Sequence, residues 1–193
     1  MVKTVSTMLP LGTAAPAFSL KDVVSGDALS LDKFSDKKGL LVMFICQHCP
    51  FVLHVESELS RLGQDYVSEG LGILAISANS VETHPQDSPD KLREQVKRAG
   101  FNFLYAHDET QEVAKSYTAA CTPDFFLFDR DRKLVYRGQL DDSRPGNDKP
   151  VTGADLRAAI DKVLSGKTVP EDQEPSIGCN IKWAPGNEPD YFG

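Results

Sequence analysis

Residues Gly39-Leu40-Leu41-Val42-Met43-Phe44-Ile45 form an unbroken apolar run that ends on Cys46-Gln47-His48-Cys49. A run of this length with no polar alternation reads as a strand buried on both faces. Beyond it, Phe51, Val52, Val55, Leu59, Leu62 and Tyr66 recur at helical spacing. A buried strand feeding straight into an amphipathic helix restricts the chain to a layered α/β architecture. The same junction sets two thiols, two residues apart, at a helix start. Unpaired N–H groups and the positive end of the helix dipole favour a thiolate there. This is the layout of a redox-active dithiol.

The remaining pattern continues the theme. Leu71-Gly72-Ile73-Leu74-Ala75-Ile76-Ser77 is a second apolar strand, and Ser88-Pro89 opens a helix that ends near Gly100. A strand is expected over 101–105, a short helix over 109–117, and a hairpin of 125–129 with 133–140 around Asp129-Arg130-Asp131-Arg132. Thr152 is placed to cap a last helix whose apolar face carries Leu156, Ala159, Ile160, Val163 and Leu164. Residues 1–16 read as a polar lead-in and 18–34 as a hairpin turning at Val24-Ser25-Gly26-Asp27. From Gly166 the chain becomes rich in proline and glycine, yet Ile177, Ile181, Trp183, Tyr191 and Phe192 supply apolar bulk. The expected organisation is one domain over 1–165 and a tail over 166–193 that wraps it. Strands alternating with helices imply a mixed central sheet flanked by helices.

Composition narrows the function. With 28 acidic against 21 basic residues the formal charge is −7, and no basic stripe is present to neutralise phosphates, which argues against a nucleic-acid partner. No segment has the length and apolarity of a membrane span, and no apolar core follows a basic start at the N-terminus. The chain is read as cytoplasmic, where four cysteines in 193 residues stay reduced unless they are catalytic.

Cys121-Thr122-Pro123 stands directly before the apolar stretch Asp124-Phe125-Phe126-Leu127-Phe128. With this second element the chain resembles thioredoxin-fold proteins of the alkyl hydroperoxide reductase/thiol-specific antioxidant superfamily. Within it, the chain is similar to the peroxiredoxin-like group that carries CxxC in place of TxxC. The resemblance runs over about residues 10–192 and also rests on Tyr136-Arg137-Gly138-Gln139-Leu140-Asp141-Asp142-Ser143-Arg144-Pro145 and Ser176-Ile177-Gly178-Cys179-Asn180-Ile181-Lys182-Trp183. It implies a thioredoxin-like fold with an N-terminal β-hairpin extension. It also implies that Pro123 is cis and faces the cysteine pair, that Thr122 and Pro123 present backbone groups to bound substrate, and that Cys121 borders it, either as a third thiol at the site or as a small apolar filler against the helix.

Two departures from the resemblance bear on chemistry. Cys49 falls where a peroxiredoxin keeps its peroxide-attacking cysteine, but Pro123 occupies the region that supplies the peroxiredoxin arginine. Arg137 and Arg144 are the candidates to replace it. Thioredoxins bury an acid in the strand before the cysteines, and Gly39 to Ile45 contains none, so the proton acceptor for the second thiol is unassigned.

The mechanism the resemblance implies has Cys46 attack a disulfide and Cys49 resolve the mixed disulfide. His48 resembles the histidine of oxidising thioredoxin-fold sites and is expected to favour the Cys46 thiolate, unless it is simply solvated. Cys179 is either a third thiol folded over the site or a buried residue packed beside Trp183. The loop carrying Arg144 is either a solvated turn or the border of an anion site. His54 and Glu58 are expected to pair on the helix surface, and His84 and His107 carry no assigned chemistry.

The leading function is thiol–disulfide exchange at Cys46/Cys49, with a redox or antioxidant role, acting on protein or small-molecule thiols and disulfides. The electrons would come from a thiol donor such as thioredoxin or glutathione, with no cofactor and no metal. Thiol peroxidase activity, with Cys49 or Cys46 attacking peroxide, is the alternative. Copper or zinc binding is a third reading that for zinc requires the tail to bring Cys179 to the pair.

Overall fold

The computed structural model describes residues 3–192. In chain order the elements are strands β1 (Lys3–Val5), β2 (Leu20–Lys21), β3 (Ala28–Leu29) and β4 (Gly39–Phe44), helix α1 (Pro50–Tyr66), β5 (Leu71–Ser77), α2 (Pro89–Ala99), β6 (Leu104–His107), α3 (Glu112–Ser116), β7 (Cys121–Thr122), β8 (Asp124–Phe128), β9 (Leu134–Gly138), α4 (Ala154–Leu164) and β10 (Ile177–Asn180). The central sheet has the order β6-β5-β4-β8-β9. Strands β4, β5 and β6 run parallel, while β8 and β9 join antiparallel. Every residue of β4 and β5 is buried, as the unbroken apolar runs require of strands covered on both faces.

Alternation along β4 divides the core. Leu41, Met43 and Ile45 pack with Leu59 and Leu62 of α1, Leu92 of α2 and Ile160 of α4. Leu40, Val42 and Phe44 pack on the other face with Val113 and Ala114 of α3, Phe18, Ile181 and Trp183. The fold is therefore α/β and thioredoxin-like, a mixed sheet with helices on both faces.

Several boundaries differ from expectation for identifiable reasons. The strand expected over 101–105 begins at Leu104, because Phe101 and Phe103 stack on each other at 4.6 Å and fill the core before the strand starts. The short helix begins at Glu112, because Gln111 takes a positive φ and its side chain reaches Ala78 O and Lys182 O. Gly153, not Thr152, precedes the last helix, at φ +67°. A Cβ there would run into the Glu58 carboxylate. The expected His54–Glu58 surface pair does not form. Glu58 is buried against Arg157 and Arg61, and His54 Nε2 meets Ser143 Oγ at 2.8 Å.

The ends of the chain depart furthest from the sequence reading. The lead-in contains β1, and the tail contains β10. Together with β7 they form an antiparallel sheet of order β1-β10-β7. Strand β10 is tied in place on both sides: Gln139 N donates to Glu174 O, Ser176 Oγ to Gly138 O, and Lys182 N to Asn79 Oδ1. Among the described residues no helix is long and apolar enough to cross a membrane.

Candidate redox site

Strand β4 ends at Phe44, and Ile45 N still donates to Ile76 O at 3.0 Å. Cys46 is thus delivered from the rigid centre of the sheet. Cys49 is the N-cap of α1, with Pro50 at the first helical position, where a missing N–H costs nothing. The Thr122–Pro123 peptide is cis. Cys46 Sγ lies 3.5 Å from Thr122 Oγ1 and Cys49 Sγ 3.2 Å from Thr122 O. Two sequence elements 73 to 76 residues apart are therefore in contact.

A third thiol joins them. Cys179 Sγ is 2.9 Å from Cys49 Sγ, and all four cysteines are free and buried. Cys179 is thus at the pair and not merely a packing residue beside Trp183. Cys121 is fully buried, pairs with Asn180 of β10, and its thiol turns to Pro123 O at 3.6 Å. Thr122 pairs in register with Cys179. The edge at which Thr122 and Cys121 were expected to meet a substrate is occupied by the chain's own tail.

The two site cysteines titrate in opposite directions. Cys49 is pulled down to about 4 by the neighbouring Cys46 thiol, then, against burial, by the Cys179 thiol and the Val52 N–H. Burial pushes Cys46 well up, and the Asp87 carboxylate adds to the effect. The stable thiolate is therefore Cys49, whereas the sequence reading placed it on Cys46. Cys179 is pushed up to about 12, first by burial and then by its contact with Cys49, so it remains a thiol beside Cys49.

Asp87 was not anticipated. It is fully buried in the turn before α2 and accepts from Gln47 N at 3.0 Å and Asn79 Nδ2 at 2.8 Å. His48 Nδ1 lies 2.6 Å from Asp87 Oδ2, a close contact in which that ring nitrogen makes no hydrogen bond. Burial works to raise the Asp87 pKa, but the His48 and Asn79 contacts outweigh it and hold the carboxyl below its usual range. His84, given no role from sequence, stacks on the His48 ring at 5.3 Å.

Cys46, His48 and Asp87 each offer a donor atom within 4.8 Å of the others, and the four cysteines do not form such a group among the described residues. Thiolate, imidazole and carboxylate are zinc donors in kind. However, both Asp87 oxygens are already engaged by Gln47 and Asn79, and Cys46 is held as a thiol.

Neither candidate arginine replaces the one missing beside Pro123. The Arg144 guanidinium donates to Asp141 O, Ser143 O and Gln139 Oε1, tying up its own loop. Even so, Arg144 borders a small cleft with Phe51, His54, Pro123, Ser143 and Ile177. Arg137 donates to Gln173 Oε1.

Residues 10–156 match the Redoxin family model. The chain belongs to the Redoxin family. This redoxin is similar in sequence and structure to an uncharacterized conserved protein from Geobacillus kaustophilus, 53% identical over 96% of this chain and 98% of that chain, with a TM-score of 0.94. A hypothetical protein from Sinorhizobium meliloti is 50% identical over 95% of this chain and 100% of that chain, with a TM-score of 0.93. The thioredoxin domain of a thiol-disulfide oxidoreductase from Bacteroides vulgatus is 21% identical over 81% of this chain and 99% of that chain. Its TM-score of 0.62 is a likeness of fold alone. No curated protein matches the redoxin's sequence.

Proposed function

We propose that this redoxin is a thiol–disulfide oxidoreductase that cycles Cys46 and Cys49 between dithiol and disulfide. The observation that carries the reading is the pair itself. Both sulfurs meet Thr122 beside the cis proline, and the helix-capping Cys49 is held as a thiolate. In this reading Cys49 enters first, attacking one sulfur of a substrate disulfide and expelling the other as a thiolate. Cys46 then attacks Cys49 in the mixed disulfide, giving the Cys46–Cys49 disulfide and the reduced substrate. Before doing so it must lose its proton. The nearby His48 imidazole is the acceptor, and the Asp87 carboxylate beside it stabilises the imidazolium that forms. A thiol donor of the thioredoxin or glutathione type restores the dithiol.

The test is turnover of a peptide disulfide with glutathione as reductant. Wild type is expected to turn over, with the Cys46→Ser/Cys179→Ser double variant stalled as the mixed disulfide and Cys49→Ser inactive. Equal rates in all three proteins would overturn the reading.

A peroxidase reading is favoured by one specific observation: the thiolate lies on Cys49, the position the peroxiredoxin resemblance assigns to peroxide attack. Peroxide would convert Cys49 to a sulfenic acid, which Cys46 would resolve with loss of water. No arginine side chain is hydrogen-bonded to that thiolate among the described residues, which weighs against peroxide activation. Rapid-mixing kinetics with hydrogen peroxide separate the two. Exchange chemistry predicts a rate like that of an ordinary thiolate, and a peroxidase one orders of magnitude faster.

A further inference from the structure

Strand β10 lies where a disulfide substrate would dock, and it is built to lie there. Cys179 pairs in register with Thr122, the residue before the cis proline. At Gly178 the strand passes so close to the Thr122–Pro123 peptide that any Cβ would overlap the Thr122 carbonyl. Glycine is therefore required by close approach and not by a turn. Hydrogen bonds from Gln139 to Glu174 and from Lys182 to Asn79 hold the strand before and after this point. The Cys179 sulfur consequently has a fixed address, 2.9 Å from Cys49 Sγ and inside van der Waals contact with it. Packing alone asks only for a small apolar side chain at this position.

We propose that Cys179 is a third redox-active thiol, which exchanges into the Cys46–Cys49 disulfide to form a Cys49–Cys179 disulfide. This inference rests on the dithiol reading above. The Cys179 sulfur attacks Cys49, the Cys46–Cys49 bond breaks, and the Cys49–Cys179 bond forms. The proton lost by Cys179 ends on the released Cys46. No electrons leave the protein, because the oxidation already made by the substrate is only relocated. The tail strand thereby acts as a substrate held in place by its own chain. Cys46 is returned to the thiol form while the oxidising equivalent sits on β10.

The test uses full-length Cys46→Ser protein, reduced, treated with diamide as the thiol oxidant, acid-quenched and digested without reduction for mass spectrometry. The expected result is loss of two titratable thiols and recovery of the Cys49 peptide joined to the Cys179 peptide. Recovery of both as free thiols, of Cys49 joined to Cys121, or of Cys49 only as a link between two protein molecules overturns the proposal. If circular dichroism finds the variant unfolded, partly oxidised wild type is mapped in the same way. Finding both Cys46–Cys49 and Cys49–Cys179 linkages supports the proposal. Cys46–Cys49 alone overturns it and leaves the dithiol reading standing. Cys49–Cys179 alone supports the proposal, since exchange has then run to completion, and neither linkage contradicts both the proposal and the dithiol reading.

Discussion

At the scale of single residues, the site separates two thiols that look equivalent in sequence. Cys49 gains the helix N-terminus and neighbouring thiol donors, while Cys46 is enclosed and faces the Asp87 charge. The reduced protein should keep its ultraviolet thiolate absorbance from neutral pH down to about 4, and Cys49→Ser should abolish that step. A step seen only near the ordinary thiol value would refute the assignment. Asp87→Asn is expected to lower the Cys46 pKa, since the carboxylate holds it up. The same variant should slow resolution of the mixed disulfide at neutral pH on the order of 10-fold, less than the roughly 100-fold loss of a positioned base outright. Lower pKa with slower resolution is a combination that loosened packing does not produce. The cysteine pair and Thr122-Pro123 were legible because each has a local signature. Asp87 had none: a carboxylate in a proline-containing loop looks solvated until the fold brings it to His48.

At the scale of elements, unbroken apolar runs located β4 and β5, helical periodicity located α1 and α4, and the Ser88-Pro89 start located α2; burial decides the position of all five. These signals missed β1 and β10, which are short and gain their pairing from each other and from β7. A short strand whose partners lie far along the chain leaves little trace in local pattern. The Gly178 in front of Cys179 was its one signal, and it reads equally as a turn. Gly178→Ala is expected to expel β10 from the cis-proline edge, because the added methyl overlaps the Thr122 carbonyl. Alkylation of Cys49 by iodoacetamide should accelerate in that variant, since β10 covers the sulfur. An unchanged alkylation rate would show that the strand does not control access.

At the scale of the whole molecule, a buried acid links folding to pH. Asp124 stands opposite Phe44 in the sheet register, on the Phe44 face of the sheet, and burial raises its pKa from 3.8 to about 7. Between those values the folded protein binds a proton that the unfolded chain has lost. This group's contribution therefore declines as pH rises through that window, by about 1.4 kcal/mol per pH unit. Asp124→Asn should remove that slope, and urea denaturation of both proteins across the window would measure it. Parallel stability profiles would show that Asp124 is ionised in the folded state.

The central claim, a reversible Cys46–Cys49 couple, is tested most directly by equilibrating the redoxin with glutathione buffers of graded potential and counting thiols by mass spectrometry after acid quenching. The account predicts one reversible two-electron transition that removes two thiols, in wild type and in Cys179→Ser protein alike. Loss of Cys49 should turn it into stable glutathione adducts or abolish it. A wild-type protein that keeps all four thiols across the range, or only accumulates single glutathione adducts, would contradict the account.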